Sequence, residues 1–246
     1  MTVINSLVAN DLYVDYVVKK ESISALKGVS FHVKRGELLV ILGPSGCGKT
    51  TLLKTIAGLL PIRKGSMELD GIDATTLAVK DRNLAYVSQS FTTYRFYTVY
   101  RNIATPLKAA RVPLDEIDRR VHEAARKLDI EYLLSRKPSE LSGGQQQKVA
   151  IAKALVKHPS IYLFDEPFSN LDFKTKTALR EEIKRIHHDE DATMVFVTHD
   201  LNDALALADR VLVMEEGKIV KEGEAREIVF SLQDEAGLHP LEESGE

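Results

Sequence analysis

An α/β fold is predicted for this 246-residue chain, and three observations predict it. Short apolar runs rich in β-branched residues recur at Leu38–Leu42, Leu84–Val87, Ile161–Phe164, Met194–Val197 and Val211–Met214. The runs are continuous rather than alternating, which fits strands buried on both faces, as in a parallel sheet. Helical patterns lie between them, the alternation expected of an α/β domain. From about Pro106 to Pro159 no convincing strand occurs, so a helical lobe is expected to be inserted into the α/β core.

Taken in order, Leu12–Val18 and Val29–Val33 read as strands of a smaller sheet at the front of the chain. The run Leu38–Leu42 leads into a glycine-rich loop, and a helix carrying Leu52, Leu53, Ile56 and Ala57 follows. In the lobe, Ile117, Val121, Ala124, Ala125 and Leu128 keep helical spacing on an otherwise charged segment. A second lobe helix is expected to start near Ser142 and run to about Lys157, with Val149, Ala152, Leu155 and Val156 on one face. Val211–Met214, the turn Glu215-Glu216-Gly217-Lys218 and Ile219–Lys221 read as a hairpin. From about Leu232 the chain is polar and expected to fray. The division expected is a single domain: a core over about 1–90 and 159–231, a lobe over about 91–158 and a tail over 232–246.

Lys and Arg number 33 against 36 Asp and Glu, a formal net charge of −3, which disfavours a nucleic-acid partner. The one cysteine, Cys47, excludes an intramolecular disulfide and points to a reducing compartment. The longest aliphatic run, Leu38–Leu42, is far short of the about 20 apolar residues a bilayer-crossing helix needs. The first residues lack the basic and apolar regions of a secretory signal. A cytoplasmic protein is expected, with other chains doing any membrane spanning.

The segment Gly43-Pro44-Ser45-Gly46-Cys47-Gly48-Lys49-Thr50 matches G-x-x-x-x-G-K-[ST] at every fixed position, between a strand and a helix. Glycines let the backbone N–H groups point inward around phosphate, and the helix N-terminus adds the positive end of its dipole. Lys49 is expected to neutralise the β- and γ-phosphates and Thr50 to offer its hydroxyl to Mg²⁺. Cys47 is read as a small neutral filler. The run Ile161-Tyr162-Leu163-Phe164 ends in Asp165-Glu166, two acids that would repel unless a dication lies nearby. Alone they would be a solvated turn before Pro167. After a phosphate loop, Asp165 is the expected Mg²⁺ partner, through water, and Glu166 the general base for an attacking water.

Leu141-Ser142-Gly143-Gly144-Gln145 opens the second lobe helix, with Ser142 as N-cap and two glycines leaving N–H groups open. A second anion site on a separate lobe suggests a nucleotide clamped between two copies. His199 follows the strand Thr193–Thr198 and precedes Asp200, an N-cap for a helix over Leu201–Ala208, which puts it at the carboxyl edge of the sheet. His187, His188 and the remaining histidines are expected at the solvated surface.

Together, Gly43–Thr51, Gln89, Leu141–Gln145, Asp165-Glu166, Ser169-Asn170-Leu171-Asp172 and His199 resemble the ATP-binding subunit of an ABC transporter, in family order over roughly Leu7 to Ile228. The resemblance implies a P-loop NTPase (RecA-like) core with an N-terminal antiparallel β subdomain and an inserted α-helical subdomain. It implies two Mg·ATP sandwiched between two ATPase subunits, either identical or close paralogues. Gly43, Pro44, Ser45, Gly46, Cys47, Gly48, Lys49, Thr50 and Thr51 would bind ATP from one subunit. Ser142, Gly143, Gly144 and Gln145 would face the γ-phosphate held by the other. Gln89 would touch Mg²⁺ and report to the membrane partner, Asp172 would lie at the subunit interface, and His199 would contact the γ-phosphate. Tyr16 would stack on adenine, with Tyr13 as its competitor.

Phe91, Tyr94, Phe96, Tyr97 and Tyr100 crowd behind Gln89 with one arginine, Arg95, among them, a composition suited to an interface groove. In the family this region receives a short cytoplasmic helix of the integral membrane subunit, so the same contact is expected here. The stretch from Tyr86 to Lys108 resembles the sugar-importer, maltose-type branch, without its C-terminal regulatory domain. Arg95 replaces a usual proline, and Lys148 and Lys153 stand where arginines are common. The expected assembly adds an extracytoplasmic solute-binding protein and sits on the cytoplasmic face of the membrane. A soluble ABC ATPase of the iron–sulfur assembly type and an exporter subunit remain the alternatives. A nucleic-acid-handling ABC protein is disfavoured by the charge.

Overall fold

The computed structural model describes residues 4–18, 21–90 and 93–235. In chain order its strands and helices are β1 (Asn5–Val18), β2 (Glu21–Lys34), β3 (Leu38–Leu42), α1 (Lys49–Ile56), β4 (Lys64–Leu69), β5 (Ile72–Asp73) and β6 (Leu84–Val87). There follow α2 (Val99–Ala109), α3 (Leu114–Lys127), α4 (Gly143–Leu155), β7 (Ile161–Asp165), α5 (Phe173–Glu190), β8 (Thr193–Thr198), α6 (Leu201–Leu207), β9 (Arg210–Glu215), β10 (Lys218–Glu224) and α7 (Ala225–Glu235). Three short 3₁₀ turns complete the regular structure of the described residues.

A six-stranded sheet runs in the order β10-β9-β3-β8-β7-β6, and a four-stranded antiparallel sheet in the order β2-β1-β4-β5. In the larger sheet β9, β3, β8, β7 and β6 are parallel and only β10 is antiparallel. Its strands are continuous in hydrophobicity because they separate two cores. Leu38, Val40 and Leu42, with Tyr162, Phe164, Met194 and Phe196, face one core with the helices α2 to α7. Leu39, Ile41, Ile161, Leu163, Val195 and Val197 alternate into the other, against α1 and the small sheet. Each such side chain, fully buried, contributes about 1.5–3 kcal/mol. That two-sided burial fixes the register, since a slip of one residue would exchange the two faces.

Several expectations meet the structure with differences. The front strands extend to Asn5–Val18 and Glu21–Lys34. A register shift between Ala9 and Leu12, with Asp11 at φ 52°, breaks the alternation that would have revealed the first half of β1. Strands β4 and β5 were not anticipated: in β4 only Met67 and Leu69 are buried. Helix α4 ends at Leu155 rather than about Lys157, and its cap is Ser142 as expected. Leu232–Glu235, expected to fray, belong to α7, where Leu232 packs against the helical core; the rest of that tail and Phe91 lie outside the described residues. His188 is exposed, but His187 is half-buried with Nε2 3.1 Å from the carbonyl oxygen of Gly36. No described helix is long and apolar enough to cross a membrane.

One buried cation anchors the short helix α1. Arg82 donates from Nη1 to the carbonyls of Thr55 and Ile56, from Nη2 to Ala74 and from Nε to Leu77. The last carbonyls of a helix have no intrahelical partner, and here a guanidinium supplies one at the negative end of the dipole.

Candidate active site

Parallel strands deliver their carboxyl ends to one edge, where ligands collect in α/β sheets. The register places Leu42 beside Thr198, Asp165 beside Val197 and Val87 beside Phe164. The loop from Gly43 to Gly48, the pair Asp165 and Glu166, His199 and Gln89 therefore leave the sheet side by side. Gln89 is exposed, two residues beyond β6.

Gly48, with φ 112°, is the N-cap of helix α1 and has no side chain to cap it, which leaves the first N–H groups of the helix without a side-chain partner. A Cβ at Gly48 would stand 2.9 Å from the carbonyl oxygen of Ala25, so only glycine fits both the backbone conformation and the space. Lys49, 4% exposed, folds back over the loop and donates to the carbonyls of Gly43 at 2.7 Å and Pro44 at 2.9 Å. Cys47 is buried, as expected of a filler, and its carbonyl accepts from the N–H of Gly217 in the β9–β10 turn at 2.9 Å.

Asp165, 4% exposed, takes one hydroxyl on each oxygen: Thr50 Oγ1 donates to Oδ1 at 2.7 Å and the Tyr86 hydroxyl to Oδ2 at 2.7 Å. Burial, then the bond to Asp165, pushes the Tyr86 phenol far above its ordinary value, so it stays a donor. Glu166 adopts a left-handed conformation, φ 46°, with its N–H on the carbonyl of Val197 at 3.0 Å. Its Oε2 lies 3.2 Å from His199 Nδ1 and its Oε1 3.8 Å from Lys49 Nζ.

Sequence reasoning missed the support beneath His199. Thr198 Oγ1 donates to Asp203 Oδ2 at 2.7 Å and accepts from the N–H of Asp200 at 3.0 Å, bracketing the histidine. Asp203, 3% exposed on its side chain, pairs with Arg180 of α5, whose Nη2 also reaches Asp200 Oδ2 at 3.3 Å. Arg180 lies on the buried stripe of α5 with Leu179, Ile183 and Ile186, a charge at a core position that could have signalled a partner.

The second anion terminus is built as a capping box. Ser142 Oγ accepts from the N–H of Gln145, and Gln145 Oε1 accepts from the N–H of Ser142. Ser142 and Gly143 are exposed. Among the described residues no hydrogen bond joins Ser142–Gln145 to Lys49, Asp165, Glu166 or His199; the partners of the Ser142 and Gln145 side chains are each other's N–H groups and the Tyr132 hydroxyl. Behind them, Thr175 packs on Gly144, and Asp172 caps α5 by accepting from the Thr175 N–H at 3.0 Å and its hydroxyl at 2.6 Å.

The two tyrosines that compete on β1 are separated by their partners. The Tyr16 hydroxyl is 3.2 Å from Thr51 Oγ1, beside the phosphate loop. Tyr13 instead lies under Lys64 and Arg63, whose cationic groups sit 4.9 and 5.4 Å from its ring centre. Behind Gln89, Phe96 is 89% exposed, and Tyr94 and Tyr97 are also exposed. Asn102, fully buried, holds this loop: Oδ1 accepts from the N–H of Tyr94 at 2.6 Å, and Nδ2 is 3.0–3.2 Å from the carbonyls of Tyr94, Tyr97 and Thr98.

The donor set suits Mg²⁺. Thr50 and Asp165 offer hard oxygen ligands, and no cluster of three or more His, Cys, Asp or Glu able to hold a metal occurs among the described residues. Mg²⁺ is commonly held by one or two carboxylates, waters and substrate phosphates rather than by an all-protein cage.

An α/β domain with this loop and this sheet edge is a P-loop nucleotide-binding domain. Residues 26–169 match the model of the ABC transporter family, and the chain belongs to that family. It is 45% identical over 224 residues to the molybdate/tungstate import ATP-binding protein WtpC of Pyrococcus abyssi, a match covering 91% of this chain and 65% of that protein. It is also 45% identical over 206 residues to the sn-glycerol-3-phosphate import ATP-binding protein UgpC of Rhodopseudomonas palustris, covering 84% and 56%. The chain spans about 54–65% of the length of the curated relatives it matches. Among solved structures, the dimeric ATP-binding cassette MJ0796 in a post-hydrolysis state bound to ADP and Pi superposes with a TM-score of 0.81 at 32% identity, covering 89% of this chain and 99% of that one. The chain thus contains an ABC ATPase domain, a type that binds ATP with Mg²⁺.

Proposed function

We propose that this chain is the ATP-hydrolysing subunit of an importer, two copies or close paralogues closing around two Mg·ATP on the cytoplasmic face of the membrane. One observation carries the reading: Lys49, Asp165, Glu166 and His199 share one sheet edge while Ser142 and Gly143 stand exposed at the start of α4 on another lobe, so a second subunit is needed to complete each site. Lys49 and the open N–H groups of α1 hold the phosphates, with Tyr16 against the adenine. Thr50, Asp165 and Gln89 hold Mg²⁺, which when bound neutralises charge on the phosphate oxygens. Glu166 takes the proton of the water that attacks the γ-phosphorus in line, the bond to the β–γ bridging oxygen breaks with ADP as the leaving group, and His199 orients against the γ-phosphate. The γ-phosphoryl group under attack carries the negative charge that the opposing Ser142–Gln145 terminus faces.

Transport needs chains that span the membrane, and the exposed Tyr94, Phe96 and Tyr97 are where the integral membrane subunits dock. The names of the relatives WtpC and UgpC support import, and hence an extracytoplasmic solute-binding protein. Sugar is the solute class carried by the segment behind Gln89. The test is purification of the tagged chain from detergent-solubilised membranes of its native source. Polytopic chains and a solute-binding protein are expected to co-purify, and the ligand of that protein names the solute. Soluble partners alone would overturn transport and leave the ATPase chemistry in place.

A further inference from the structure

We propose that Tyr86 is a positioning residue for the metal carboxylate, its hydroxyl fixing one oxygen of Asp165 so that the carboxylate is presented to Mg²⁺ in a single orientation. The proposal rests on the reading of Asp165 and Thr50 as the Mg²⁺ site. It follows from register. In the parallel pair β6–β7, Tyr86 lies opposite Leu163, and Asp165 is two residues further along, on the same face of the sheet. Diagonal neighbours on one face are within reach of a long aromatic side chain, and the Tyr86 hydroxyl meets Oδ2 at 2.7 Å. Tyr86 itself is only partly buried, packed against the core that also receives α1, and α1 brings Thr50 to Oδ1 from the other side.

The terminal torsion of an aspartate is broad, so one anchored oxygen leaves the carboxylate free to swing, whereas two do not. A hydroxyl has one hydrogen and two lone pairs, so Thr50 can keep its bond to Asp165 while offering a lone pair to the metal. Tyr86 uses its hydrogen on the carboxylate alone and is thus the group that orients without ligating. Outer partners of this kind typically set 10–100-fold of metal affinity.

The packing of the ring and the bond of the hydroxyl can be separated by Tyr86→Phe. Binding of Mn²⁺ to the full chain with ADP is followed by the loss of the free-ion electron paramagnetic resonance signal, with ADP affinity in EDTA and the melting temperature measured alongside. Tyr86→Phe is expected to weaken Mn²⁺ binding by about 10–100-fold while ADP binding in EDTA stays as in the wild type. Tyr86→Met, bulky but without a hydroxyl, is expected to follow it. If Asp165→Asn weakens Mn²⁺ binding and both Tyr86 variants bind it as the wild type does, the positioning role is wrong and the metal site stands. If Asp165→Asn also leaves Mn²⁺ binding unchanged, the metal assignment falls and the proposal with it.

Discussion

His199 Nδ1 lies 3.2 Å from Glu166 Oε2, while the other oxygen of the same carboxylate lies 3.8 Å from Lys49 Nζ. A single side chain therefore spans the phosphate loop and the turn after β8. Its backbone is held in a left-handed conformation by a bond to Val197, which aims the carboxylate across the sheet edge rather than along it. Glu166→Gln keeps the shape and removes the base. Phosphate release is expected to fall by about 10²–10⁴-fold with ATP still bound, and gel filtration with ATP should show a persistent dimer. Turnover near that of the wild type would remove Glu166 from the role of base.

Gly144 and Thr175 form the joint between the exposed anion terminus and α5. A Cβ at Gly144 would sit 2.4 Å from Thr175 Cγ2, and that methyl cannot rotate away without breaking the 2.6 Å bond from Thr175 Oγ1 to Asp172. Gly144→Ala is expected to cost about 1–3 kcal/mol in urea unfolding. Thr175→Ser removes the methyl and keeps the hydroxyl, so the double variant should recover most of the loss. Failure to recover would place the strain elsewhere.

Asp203 depends on Arg180. Arg180→Met leaves a buried carboxylate without its cation and is expected to cost about 3–5 kcal/mol of stability. Replacing both ends together, Arg180→Met with Asp203→Leu, should cost less than Arg180→Met alone, because no unpaired charge remains. Equilibrium denaturation of the three proteins measures this directly. The double variant also loses the anchor of Thr198, so its ATP hydrolysis should stay low even where stability returns.

Asp172 makes stability depend on acid. The Thr175 hydroxyl, and after it the Thr175 N–H, hold the Asp172 carboxyl below the usual carboxylate range. A depressed native value means that the contribution is complete above the unfolded pKa, about 3.9, and is lost as pH falls through the lower native value. The melting temperature of Asp172→Ala should therefore trail the wild type at neutral pH and draw level with it as the buffer is taken below about pH 4. A gap that stays constant across that range would mean the cap acts without its charge.

Much of this molecule can be read from its residues. The five parallel strands were legible because two-sided burial writes uninterrupted apolar runs, and the phosphate loop because glycine spacing, Lys49 and Thr50 leave few other readings. Ser142 announced its own cap. What escaped has physical causes. Asp11 and its bulge hide the start of β1 from a period-two reading, and β4 buries too few side chains to stand out. Arg82 and Arg180 look like surface charges until the fold gives them carbonyls and carboxylates to meet. The different surroundings of Tyr13 and Tyr16 come from Lys64, Arg63 and Thr51, which are distant or mute in sequence.

The clamp of Asn102 on Tyr94, Tyr97 and Thr98 bears on how a partner would be received. Fixing a residue's backbone costs about 1–2 kcal/mol in conformational entropy. Here that ordering is accomplished during folding, by one buried amide, for a loop whose tip is the most exposed aromatic ring of the described chain. Phe96 is carried on a stiff mount. A partner that docks there would meet a finished shape and would not have to freeze one.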